Sequence, residues 1–223
     1  MSKRQRRAQE FKSQRSFAWI SFFQDLVSSA YVLLEKASAE RSMSEYKSQG
    51  GHYSIHAAGS IVLVTTAFDQ WLNECCLSLD VAYPGLRNAA PDLDTVQKYV
   101  TLCTIISPGT TVETLDLQMA WDVRNEIVHF LPRTTSAGDT WPSWLVELER
   151  RGLVQSRKLP HRSGDANDLP SKLHSYKLCY WIWQIMAASI EQVLELFPED
   201  RSVHRESIGW ALPVFQVYVN APA

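Results

Sequence analysis

Three polar side chains in one short stretch, Arg124, Asn125 and His129, are the residue types that phosphodiester chemistry uses. A guanidinium holds a phosphate through two parallel N–H donors and opposes the negative charge that grows in the transition state. Imidazole gains and loses a proton near neutral pH, so His129 suits a general base or acid. Asn125 precedes His129 by four residues, about one helical turn, and can orient the imidazole or a phosphate oxygen from the same side. With 14 Arg, 5 Asn and 6 His in the chain, chance would place Arg-Asn-x-x-x-His only about 0.01 times. The spacing is therefore the most specific chemical signal in the sequence.

The segment that carries the trio has helical periodicity. At about 100° per residue, Met119, Ala120, Val123, Ile127 and Phe130 form one apolar stripe, an ordinary core face. Arg124, Asn125 and His129 fall on the other side, in company with Leu117, Trp121 and Val128. Such a mixed face does not suit open water. It is expected against another helix or a second subunit, with the polar trio at the seam. One histidine per protomer is thin for paired acid–base work, and two copies facing each other across a dimer axis would supply the second.

Helical periodicity also governs the elements around this segment, so the expected fold class is all-α. A first helix is expected over about residues 17–39, a second over about 53–79 and a third over about 93–106. Ser107-Pro108-Gly109 should stop the third, and the motif helix should follow Thr110-Thr111, with Glu113 and Asp116 in its first turns, and run to about Leu131 before Pro132. Residues 132–170 read as an insertion with a short helix from Pro142 to Arg151, and a last long helix spans about 171–197. Beyond Pro198 the pattern is ambiguous: residues 214–219 fit an edge strand or an extended packing segment. The division is thus a basic arm (1–16), a helical domain (17–197) and a C-terminal tail packing on that domain (198–223).

Composition narrows the setting. A chain of 223 residues, 45% hydrophobic and 21% charged, can bury a sizeable core. Eight Trp suggest that some rings serve an interface. Cys75, Cys76, Cys103 and Cys179 have no CxxC spacing or histidine partners of metal-ligand type and read as buried reduced thiols of a cytoplasmic protein. The apolar runs 61–64 and 180–186 fall short of the ~20 residues of a spanning helix. Residues 17–23 follow a basic start in the manner of an export signal, but Gln24 and Asp25 interrupt the run and helical periodicity continues, so export is not expected. The first 15 residues hold six cations, Lys3, Arg4, Arg6, Arg7, Lys12 and Arg15, against Glu10 alone. That leaves an arm of +5 on a body of −7, within a net −2. Such an arm, with Arg4, Arg6 and Arg7 at its centre, can contact RNA phosphates or serve as a solvated terminus that aids solubility.

Trp121-Asp122-Val123-Arg124-Asn125-Glu126-Ile127-Val128-His129 resembles the signature of HEPN domains, an Arg followed after four to six residues by a His, often with Asn directly after the Arg. Ala67-Phe68-Asp69-Gln70-Trp71-Leu72-Asn73-Glu74 resembles the long preceding helix of many members, and the likeness extends over about residues 17–197. The resemblance implies an up-and-down bundle of about four or five main helices that dimerises to build its active site. It also implies metal-independent RNA cleavage with no cofactor, in which the 2′-hydroxyl attacks the adjacent phosphate. Members act in toxin–antitoxin, phage-defence and RNA-processing systems, so an antitoxin or defence-system partner protein is a further expectation. Some paired toxins carry a Tyr two residues after the His, where this chain has Leu131. Arg124, Asn125 and His129 become the catalytic candidates, with Asp69 and Glu74 as auxiliary residues able to fix Arg124 or His129. The alternative is a catalytically silent module of the same type that binds RNA, nucleotide or a protein.

Overall fold

The computed structural model describes residues 23–40, 54–80, 83–86, 92–129, 142–154, 173–197, 209 and 211–219. These are all-helical, with no strand among them. We number the helices α1 (residues 23–40), α2 (Ile55–Leu79), α3 (Thr95–Ile106), α4 (Leu115–Val128), α5 (Ser143–Arg150), α6 (Tyr176–Glu195) and α7 (Ala211–Val219). No helix among the described residues is long and apolar enough to cross a membrane.

Helix α2 is the hub and packs against α3, α4 and α6. It can do so because its buried positions, among them Ile61, Val64, Ala67, Phe68, Trp71, Leu72 and Cys75, form one broad apolar face over roughly half of its circumference. Helix α1 crosses it closely at Gly59, where an added Cβ would stand 2.8 Å from Leu33 Cδ1 and the leucine side chain would have to shift. Next to it, Ser60 Oγ donates to Ala30 O (2.7 Å) and accepts from Trp183 Nε1 (3.0 Å). One hydroxyl thereby satisfies a buried indole N–H from α6 and a carbonyl of α1. Leaving the buried indole N–H unpaired would cost about 1–3 kcal/mol.

Local signals set the helix ends. Ser54 Oγ accepts from Ala57 N at the start of α2, and Asp94 and Gln97 close a reciprocal capping box at the start of α3. Ser107-Pro108-Gly109 ends α3 as expected, with Thr110 N donating to Ser107 O and Gly109 at φ +88°. Ser175 caps α6 by accepting from Leu178 N, and its hydroxyl donates to Leu153 O, which ties the segment after α5 to the base of α6. Helix α5 stops in a Schellman motif: Gly152 (φ +65°) donates to Glu149 O and Leu153 N to Leu148 O, with Leu148 and Leu153 both buried.

The C-terminal segment departs from expectation. Residues 214–219 belong to helix α7 rather than to an edge strand or extended segment. Phe215 is fully buried between Phe23 (ring centroids 5.7 Å apart) and Trp183 (5.8 Å). No strand among the described residues offers an edge to pair with, so the backbone groups of this apolar stretch are satisfied within a helix. Pro213 falls in its first turn, where no intrahelical acceptor is needed.

Candidate functional site

Helix α4 places Leu117, Met119, Ala120 and Val123 in the core and packs against α2, α3 and α6. Its start lies later than the sequence suggests. Glu113 is outside the helix, and its carboxylate accepts from Leu115 N (3.0 Å), taking over the capping that Thr114 does not provide. Its end comes earlier, at Val128. His129 is the cap, at φ −110° and ψ 23°, with its N–H bonded to Asn125 O (2.8 Å). The imidazole therefore projects from a helix terminus rather than from the continuing helical surface, and His129 is exposed.

The second face of α4 is covered within the protomer at one end and open at the other. Leu117 is 2% exposed, Trp121 is half-buried against the core, and Val128 is 42% exposed. Among the described residues of this face, the turn around Val128 and His129 is exposed, as is Gln118.

Arg124 and Asn125 are brought together directly. Arg124 Nη1 donates to Asn125 Oδ1 (3.0 Å), and the guanidinium carbon stands 5.5 Å from the centroid of the Trp121 ring. Arg124 Nε is shut away from solvent with no hydrogen-bond partner, and no carboxylate among the described residues pairs with the side chain. Asn125 engages the arginine rather than the imidazole. Trp121 was legible in the sequence as a neighbour on this face, but its contact with Arg124 was not; the signal that could have found it is the i, i+3 spacing of 121 and 124.

Asp69 is committed elsewhere. Its Oδ1 accepts from Thr95 Oγ1 (2.6 Å) and Lys98 Nζ (3.0 Å), and its Oδ2 accepts from Asn73 Nδ2 (3.3 Å). The carboxylate thus fastens α2 to α3 and touches neither Arg124 nor His129. Glu74 is half-buried on α2, and desolvation holds its carboxyl above the usual carboxylate range. Arg4, Arg6 and Arg7 lie outside the described residues.

Other nucleophiles are poorly placed. All four cysteines are free and buried. Burial is the first cause that pushes Cys76 and Cys103 up to about 11, Cys179 to about 12 and Cys75 well above its ordinary value, so a thiolate is disfavoured at each. Among the described residues no three His, Cys, Asp or Glu side chains gather as metal ligands would. Comparison with models of protein families, with characterised proteins and with solved structures finds no match.

Proposed function

We propose that the protein is a metal-independent endoribonuclease of the HEPN type, acting as a homodimer with Arg124, Asn125 and His129 at its site. The observation that carries this reading is the half-buried Arg124 guanidinium, held by Asn125 and Trp121 with no carboxylate among the described residues to neutralise it. A cation in that state is incomplete without an anion, and an RNA phosphate supplies one in matching planar geometry. In the reaction His129 takes the proton of the 2′-hydroxyl as its oxygen attacks phosphorus. The P–O5′ bond breaks, and the departing 5′-oxygen takes a proton from an imidazolium, which the His129 of a second copy can provide. Arg124 opposes the charge that accumulates on the non-bridging oxygens. The exposed turn at Val128 and His129 is where the second copy would approach. A toxin or phage-defence role belongs to the same proposal.

The test is incubation of the purified protein with mixed RNAs in EDTA. Cleavage that survives chelation and is lost in both Arg124→Ala and His129→Ala supports the enzyme. Binding without cleavage of any RNA favours the silent module instead, a reading consistent with an imidazole that no described side chain orients.

A further inference from the structure

We infer that Trp121 and Asn125 are positioning residues that lock the Arg124 guanidinium so that it offers an anion its free Nη hydrogens and not its side-on edge. A guanidinium has two bidentate edges, the end-on edge and a side-on edge made by Nε and Nη2. Here the side-on edge is closed, because Nε is cut off from solvent and meets no acceptor among the described residues. The Trp121 ring lies 5.5 Å from the guanidinium carbon and limits motion out of its plane. The Asn125 carboxamide oxygen takes one Nη1 hydrogen at 3.0 Å and limits rotation within the plane. The Nη hydrogens that Asn125 does not take are then held in fixed directions before any ligand arrives, which lowers the ordering cost of binding. All three side chains come from neighbouring positions of α4. The inference rests on the ribonuclease reading for the identity of the anion, an RNA phosphate, and on the geometry for the rest.

The experiment is NMR of arginine Nε–Hε groups in the full chain, with Arg124→Lys to assign the resonance. The probes are inorganic phosphate and a short RNA whose 2′-hydroxyls are all methylated and so cannot attack. The expected result is an Arg124 Hε that is protected from exchange and stays unmoved as either probe binds. In Trp121→Leu the protection is lost and binding of the RNA weakens on the order of fivefold, whereas Trp121→Phe restores both. Should Trp121→Leu fail to fold, Asn125→Ala tests the in-plane restraint through the same resonance and is expected to weaken binding to a smaller degree. An Hε that shifts on binding as strongly as the Nη signals, unchanged protection and affinity in these variants, or no binding of either probe overturns the inference. A protein that binds with the expected signature yet never cleaves unmodified RNA refutes the ribonuclease reading and leaves the positioning device standing.

Discussion

Lys98 and Arg124 are both cations that helix packing draws out of water, and the fold treats them differently. Lys98 is 8% exposed and meets Asp69, whose carboxylate also receives Thr95 and Asn73. Every part of that cluster has a structural use: it joins α2 to α3 and leaves no charge unanswered. Arg124 is restrained just as firmly, by a ring and a carboxamide, but neither restraint carries a negative charge. A buried pair that is complete serves the fold, and removing one member is expensive. A restrained cation that lacks its counter-charge adds little to the fold and is poised for an external anion. The difference separates a structural cation from a candidate functional one more sharply than residue type or burial alone.

The largest effect expected from this contrast is on activity. Arg124→Ala should lower RNA cleavage by about 10³-fold while changing the free energy of unfolding by less than ~1 kcal/mol, because losing an unsatisfied Nε offsets lost packing. Paired cleavage and urea-denaturation measurements check both halves. Asp69→Ala should do the reverse, lowering stability by about 2–3 kcal/mol by stranding Lys98, with cleavage per folded molecule unchanged. The double variant Asp69→Leu with Lys98→Met should recover part of that loss in the same denaturation assay. If instead Arg124→Ala were the more destabilising single change, the distinction between the two cations would collapse.

A neutral buried group sets the scale beneath these. Ser60→Ala should cost about 1–2 kcal/mol by thermal or chemical denaturation, since Trp183 Nε1 and Ala30 O each lose a partner. The smallest effect lies at the surface. Hydrogen bonds from Arg150 and then Arg151 hold the partly exposed Glu147 carboxyl down to about 2. A depressed carboxylate contributes above its ordinary range and loses that contribution as pH falls through the folded value. Protection of α5 amides should therefore decline progressively as the pH falls from about 4.5 towards about 2, as hydrogen exchange across that range would report. Arg151 also reaches Asp116 (2.6 Å), so loosening there should extend to the first turn of α4.

What the sequence made legible followed from local chemistry. The helical class, the stop at Ser107-Pro108-Gly109 and the short helix from 143 to 150 all follow from periodicity and turn residues within a few positions of one another. The shared face of Leu117, Trp121 and Arg124 was likewise readable. That Leu117 is covered inside the protomer was not, because it depends on where α2, α3 and α6 sit. Asp69 shows the limit most clearly. Its helical position fitted an auxiliary to the motif, but its partners lie 26 and 29 residues away in sequence, a distance that no periodicity spans. His56 is similar: Glu40 Oε1 lies 2.6 Å from its Nδ1 across 16 residues. The tail at 211–219 misled for another reason. A short apolar run fits a strand or a helix equally, and only the pocket between Phe23 and Trp183 decides.

The central claim is that Arg124 and His129 cleave RNA through its own 2′-hydroxyl, and the ends of the products test it most directly. Mass spectrometry of an RNA of known sequence, incubated with the protein in EDTA, should find 2′,3′-cyclic phosphate on one fragment and a 5′-hydroxyl on the other. Those products should be absent with Arg124→Ala and with His129→Ala. Fragments ending in 3′-hydroxyl and 5′-phosphate, or cleavage that persists in either variant, would contradict the account.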